Sequence, residues 1–575
     1  MNSLALLLSV CWPIALVAGL MLPRTRALAR SLAPWAALPA LLSGAAGAAD
    51  LQVGWLMLDG RLGLDLVAVV MLPCTAGLWL AAGLFARRYV APGPRHDLFF
   101  GWFLAAMAGN LLLLAALDVV VFYLGFALMS FASYGLVVHD GSARARHAGR
   151  YYIAMVVVGE VCVITALMLL ASRGAIDFAT LRASFAADDA GRNDLILTLL
   201  IVGFGIKAGT FGLHFWLPLA HPVAPAPASA VLSGAMIKAG LVAWVRLLPL
   251  GETALPTWGA GLAAAGLFTA YYGVLAGLPQ REAKTVLAYS SVSQMGVMTI
   301  AVGLGLAFPA QWPALFAALL VYMVHHSLVK GGLFLGAGFV QHVQRPGPAR
   351  LAAALLALGA LAIAGGPFTG GLLAKLALKH TAEFVAEPWH TWLPVLLTLS
   401  SALTALLMLR FLWIAWPRGD AGAEQAPVGL LAPWLLLAIA WLVAPWVLAA
   451  PTLRSEVIGL HAGLNATGPL ALAGLLAFTA VRLRRRLPRL PSVPAGDIGI
   501  PLERGLVAAG RGLHRFLVES LPAAVRACRR PVGMAVRSAP WWSDTLGRGE
   551  ARIAAWSATA LFVALLAVCG ALLLS

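Results

Sequence analysis

Apolar runs long enough to cross a bilayer recur along almost the whole of this 575-residue chain, joined by short polar connections. About 20 such residues span the hydrocarbon core as a helix. With 61% hydrophobic and 11% charged residues there is no room for a sizeable soluble domain. The chain reads as an all-α polytopic membrane protein. Roughly sixteen helices are expected, over 4–22, 31–49, 63–85, 98–116, 118–138, 151–171, 194–216, 226–249, 258–279, 284–305, 311–340, 351–377, 391–415, 429–450, 467–482 and 553–574. The first run is followed by Pro-Arg-Thr-Arg, which reads as a retained helix rather than a cleaved signal.

The connections alternate in charge. Arg24, Arg26 and Arg30 fall on one side with Arg87, Arg88, Arg95, Arg144, Arg146 and Arg150. Arg281, Lys284, Arg345, Arg350, Arg482 and Arg484–Arg486 join them. The opposite side carries Asp50, Asp59, Asp65, Asp177, Asp188, Asp189 and Asp194. Cationic connections stay cytoplasmic, so an even number of helices puts both termini outside, in a cell inner membrane. The same rule and anionic headgroups account for the net charge of +17; no nucleic-acid partner is implied. Residues 483–552 form a basic, Pro-interrupted stretch in which Leu502, Leu506, Leu513, Phe516 and Leu517 share a helical face, with Arg504, Arg511 and Arg515 on others. A surface-lying helix there, or a basic linker, precedes the last span.

Only six of the 40 basic residues are lysines. Lys207, Lys238, Lys330 and Lys375 lie inside apolar runs; Lys284 and Lys379 lie at run ends, where they suit an interface. A charge at mid-membrane costs about 2.5–3.5 kcal/mol on insertion scales. Burial drives a lysine toward neutrality, whereas arginine keeps its proton. Four such lysines are candidates for a proton relay. The five cysteines (Cys11, Cys74, Cys162, Cys528 and Cys569) are scattered singly, so no metal, cluster or other cofactor is expected in this chain. Redox chemistry would sit on another subunit.

The most distinctive stretch is GFGIKAGTFGLHFWLPLAHPVAPAPASAVLSGAMIKAGLVAWVRL, residues 203–247. Glycines and prolines break a span here, which is tolerated at membrane depth only where the backbone is buried or lines a wet cavity. It resembles the antiporter-like proton-translocating subunits of respiratory complex I, Mrp antiporters and membrane-bound hydrogenases. AKTVLAYSSVSQMG (283–296), HHSLVKGGLFLGAG (325–338) and GGPFTGGLLAK (365–375) are similar to that family's tenth-, eleventh- and twelfth-helix motifs. WLPLAHP in place of WLPDAH, and the Arg-rich segment plus one span at the end, look most like the hydrogenase-4 and formate hydrogenlyase type.

The resemblance implies two inverted five-helix repeats, helices 4–8 (98–250) and 9–13 (251–415), each with a broken helix. Around them lie an N-terminal segment (1–97), helices 14 and 15 (416–482), the basic segment (483–552) and the final span (553–575). It also implies a mid-membrane axis of Lys207, Lys238, His326, Lys330 and Lys375, with other membrane subunits and a peripheral redox module as partners. His326 lies one turn before Lys330 on the same face; His325 is expected to be structural. His214 and His221 flank the helix break, where they either pass protons or satisfy freed backbone.

One position departs from the family. Its fifth-helix glutamate, the partner of the helix-7 lysine, is replaced here by Ala127. Glu160, deep in the sixth helix, either substitutes for it or is structural. The alternatives to a redox-driven proton translocator are a Mrp-type sodium/proton antiporter subunit and a non-pumping scaffold.

Deleting residues 500–540 is expected to loosen association with neighbouring subunits more than it disturbs the lysine axis. Normal co-purification of the deletion variant with its partners would count against a docking role.

Overall fold

The computed structural model describes residues 2–45, 50–53, 60–174, 177–186, 190–342, 346–416, 428–483 and 493–501. One compact unit spans Met1–Ile500. The expected face of Leu502, Leu506, Leu513, Phe516 and Leu517, with Arg504, Arg511 and Arg515, and the final span 553–574 lie outside the described residues, as do Asp59, Asp188, Asp189, Arg345 and Arg484–Arg486.

Twelve helices among the described residues are long and apolar enough to cross a membrane. Three further passes are interrupted. The second runs as Arg26–Leu32, Ala33–Trp35 and Leu38–Ala45; the seventh as Ala190–Ala208 and Trp216–Val223; the twelfth as Pro346–Ala364 and Gly370–Ala382. Together these elements overlap the first fifteen expected spans and are consistent with the expected count. Both interrupted helices that the resemblance implies are present. The apolar stretch 351–377 concealed the second break. A short hairpin, Asp50–Val53 paired antiparallel with Gly60–Gly63, was not foreseen.

Two polar faces follow from the alternation. On the arginine side Arg30 pairs with Asp97, and Arg144 pairs with Glu282 through two 2.8 Å bonds. On the acidic side the aspartates start helices. Asp65 accepts from the Ala68 N–H and Asp118 from the Val121 N–H, so their charge meets the positive helix end. Asp65 also receives Arg246, a residue 2% exposed, which donates further bonds to the last carbonyls of the fourth pass, Leu113 (2.6 Å) and Leu114 (2.8 Å). That arginine ties the third, fourth and eighth passes together.

Helices in lipid associate through close contact of small residues rather than through a hydrophobic drive. Gly259, Gly266 and Gly273, seven apart on the ninth pass (Pro256–Gly277), lie against Gly303, Gly296 and Ser293 of the tenth (Ala283–Ala307). Gly109 on the fourth pass (Pro94–Ala115) and Gly125 on the fifth (Val119–Val137) bring those helices equally close. Each expected repeat therefore opens on a tightly packed helix pair.

A Cβ added at Gly303 would lie 2.4 Å from the Ala263 backbone nitrogen, whereas one at Gly261 meets nothing within 4 Å. Gly303→Val is expected to destabilise the bundle by about 1–3 kcal/mol or more, seen as a lower thermal midpoint in detergent. Gly261→Val is expected to leave that midpoint unchanged.

Candidate functional site

The two breaks share one construction. Helix Ala190–Ala208 ends at Gly209 (φ +72°) and helix Pro346–Ala364 at Gly365 (φ +83°), left-handed conformations that glycine adopts without strain. In the first, Thr210 N–H donates to Gly205 O (3.1 Å) and Gly209 N–H to Ile206 O (3.3 Å). In the second, Gly366 N–H donates to Leu361 O (2.9 Å) and Gly365 N–H to Ala362 O (3.1 Å). Both are Schellman caps, which satisfy most but not all of the freed carbonyls.

Lysines take up some of the remainder. Lys375, 7% exposed, donates to the Ala364 carbonyl at 2.8 Å, at the negative end of the interrupted helix. Lys238 follows a single π-turn, Leu232–Met236, and donates to the Ser233 carbonyl at 2.6 Å. A π-turn shifts the backbone bonding by one residue and is common at functional sites. Lys330, fully buried in the eleventh pass (Trp312–Phe339), donates to the Leu287 carbonyl at 2.9 Å. The Ser291 hydroxyl bonds that same carbonyl at 3.0 Å and lies 2.7 Å from the Ser233 hydroxyl. Lys238 and Lys330 are thus joined by the polar atoms of Ser233, Ser291 and Leu287. Both are electrostatic neighbours of His326, whose two ring nitrogens have no hydrogen-bond partner among the described residues.

Lys207 differs. Among the described residues its ammonium donates to no main-chain carbonyl; it donates to the Tyr152 hydroxyl (3.3 Å), which itself donates to Ser130 O (2.8 Å). The rings of Phe126, Tyr152 and Trp216 surround it at 5.7–5.9 Å. Glu160 lines the same small cavity. Sequence explains the approach. Gly159 precedes Glu160, Gly203 lies one turn before Lys207, and a Cβ at Gly203 would be 3.1 Å from the Gly159 carbonyl. About 10 Å³ of the cavity admits the centre of a water-sized sphere, room for one water. Neither Glu160 oxygen has a hydrogen-bond partner among the described residues; its polar neighbours are Lys207, Tyr123 and Ser130. Ala127 lies one turn after Tyr123 on the fifth pass, on the face those two residues share.

The expected axis is therefore three groups: Glu160 with Lys207, then Lys238 with His326 and Lys330, then Lys375. No polar contact between Lys207 and Lys238 is seen among the described residues. His325, expected to be structural, lies beside Gly370 and Gly371 at the second break and is an electrostatic neighbour of Lys375 and Lys238. The whole middle of this helix is buried, so adjacent positions both face the interior. His221 stacks on Phe334 (4.5 Å between centroids) and neighbours Lys330 and Lys284. His214 turns away to Asp497 (3.2 Å). The run-end lysines are not simply at an interface. Lys284 donates to Ala224 O (2.6 Å), closing the helix Trp216–Val223, and Lys379 donates to the Thr398 hydroxyl.

Two openings reach these groups. A vestibule of about 800 Å³ on the arginine side is lined by His139, Asp140, Arg144, Pro222, Glu282 and Lys284, next to His221. A cavity of about 160 Å³ joins Lys375 and Lys379 to Glu456, His461 and Asn465 on the acidic side.

Residues 116–404 match the sequence profile described as NADH:quinone oxidoreductase/Mrp antiporter, TM. The chain is 32% identical over 326 residues to hydrogenase-4 component B of Escherichia coli (strain K12). That match takes in 54% of this chain and 46% of the relative, so the chain spans less than half of that relative's length. It is 29% identical over 475 residues to NADH-quinone oxidoreductase subunit N of Desulforudis audaxviator (strain MP104C), covering 74% of this chain and 92% of that one. In fold it is similar to a chain of the Mrp complex from Dietzia sp. DQ12-45-1b, with a TM-score of 0.70 at 22% identity over 95% of this chain and 65% of that one.

Proposed function

Because this multi-pass chain belongs to the NADH:quinone oxidoreductase/Mrp antiporter transmembrane family, we propose that it is a proton-translocating membrane subunit of a multisubunit redox complex of the hydrogenase-4 type. Its repeats are 98–250 and 251–415. The arginine side faces the cytoplasm, both termini face outward, and a peripheral partner module supplies the energy.

The observation that carries this reading is the bonding of the buried lysines. Lys238, Lys330 and Lys375 rest on backbone carbonyls, which accept from an ammonium or from a neutral amine alike. Such a lysine gives up its proton without giving up its partner. Protons enter by the vestibule, pass His221 to Lys330, exchange among Lys330, His326 and Lys238, and leave by way of His325, Lys375 and the acidic-side cavity. Glu160 and Lys207 form a second exchange pair, linked through about one water, that controls charge at the head of the axis. The hydrogenase-4 assignment rests on the 32% identical relative and the WLPLAHP motif.

Lys207→Ala and Lys330→Ala are expected to cut coupled proton uptake by the reconstituted complex at least tenfold with assembly intact. Lys→Arg at either position is expected to do the same, since Arg holds its proton. Wild-type uptake in both alanine variants would remove the relay and favour the scaffold reading. Glu160→Gln is expected to reduce uptake severalfold, and adding Ala127→Glu to restore part of it. A purely structural Glu160 predicts no such rescue.

A further inference from the structure

The segment 493–500 follows the fifteenth pass and packs back onto the helical body at the first break. Gln280 donates to Val493 O (3.1 Å), Tyr151 donates to Gly499 O (3.4 Å), and Gly496 (φ +88°) lies against Leu219. The segment carries one ionisable side chain, Asp497, and that chain is buried. Its side chain is 5% exposed, and that of His214 is 0% exposed.

One carboxylate oxygen, Oδ2, accepts three bonds: from His214 Nε2 (3.2 Å), the Tyr272 hydroxyl (2.8 Å) and the Tyr289 hydroxyl (2.9 Å). The other accepts from the Ile498 N–H. A carboxylate only accepts, so His214 carries its hydrogen on Nε2. Its second nitrogen, Nδ1, is buried with no partner among the described residues. The groups facing Asp497 are thus His214 from the break, Tyr272 from the ninth pass and Tyr289 from the tenth. No lysine, arginine or second carboxylate acts on it among the described residues. Burial pushes the Asp497 carboxyl up. The hydrogen bond and charge of His214, the Tyr272 hydroxyl and the Ile498 N–H outweigh it and hold the group below its ordinary value.

A buried, ionised carboxylate needs a compensating charge, and a three-donor cradle with an unused imidazole nitrogen is more than docking requires. We propose that His214 and Asp497 form a proton-exchange site on the arginine side of the first half, complete only when the segment 493–500 is seated. With Nδ1 protonated, His214 is an imidazolium whose charge and that of Asp497 compensate each other. Release of that proton leaves the neutral ring still donating through Nε2 to the carboxylate, which the tyrosines keep solvated, and rebinding restores the starting pair. The site rests on the reading that this chain moves protons, but its chemistry is separable from the lysine relay.

Asp497→Asn keeps the shape and removes the charge. In proteoliposomes containing the whole complex, this variant is expected to move the pH profile of proton uptake about one unit toward acid, with roughly tenfold slower uptake at neutral pH that recovers on acidification. A profile superimposable on wild type overturns the proposal, as does a loss of assembled complex with the profile unmoved. An infrared-monitored acid titration of the purified complex decides it without transport. The carboxylate step absent from Asp497→Asn is expected at higher pH in His214→Gln than in wild type, and an unmoved step overturns the pairing. If Lys207→Ala and Lys330→Ala move protons normally, the relay reading fails while the titration still judges this site.

Discussion

A backbone interrupted at membrane depth has no water to fall back on, and each carbonyl it frees needs a donor from the protein. The chain meets this demand in two stages. Glycines at 209 and 365 fold each broken end into a Schellman cap, and side chains then take what the cap leaves. At Ala364 that side chain is Lys375 and at the π-turn it is Lys238, while Ile206 O, already bonded within the first cap, takes a second bond from the indole N–H of Trp216, at 2.8 Å. The basic groups in the middle of this protein are therefore part of how the breaks are stabilised. An arginine there would also supply donors, but it would fix a permanent charge. Choosing lysine keeps the backbone satisfied while leaving the charge free to vary.

The rest of the architecture holds those breaks still. Arg246 and Asp65 lock three passes together on the acidic side, and glycine-lined helix pairs open each half. Positions where backbones nearly touch leave little room for passes to slide. The buried lysines are thereby kept within reach of fixed carbonyls and hydroxyls, and the cavity that Lys207 shares with Glu160 has room for about one water.

Much of this was legible in the amino-acid order. Run lengths placed fifteen passes, the alternation of Arg and Asp sorted their ends, and the scarcity of lysine picked out the buried relay candidates. What escaped has physical reasons. The stretch around Gly365 is as apolar as a continuous helix, so hydropathy passed over the second break. The π-turn at Leu232–Met236 leaves no mark in composition, because it is a shift of bonding rather than of residue type. His325, read as structural, bonds the Ala362 carbonyl at the second break in a helix whose middle is buried on every side. Asp497 was invisible for a different reason. A lone aspartate in an arginine-rich stretch reads as a solvated charge, and only folding back onto Tyr272 and Tyr289 gives it a role.

Ala127 is where sequence and geometry bear most directly on one another. The lost glutamate would have sat on the fifth pass, on the face shared by Tyr123 and Ser130, and those two residues are now the polar neighbours of Glu160 from the sixth pass. Burying a carboxylate with no hydrogen-bond partner among the described residues is costly unless a positive charge offsets it. Lys207 is the nearby cation, hydrogen-bonded to Tyr152 and ringed by Phe126, Tyr152 and Trp216. Glu160 and Lys207 thus share one small cavity with few hydrogen-bond partners of their own, whereas the Arg246–Asp65 pair is hydrogen-bonded throughout.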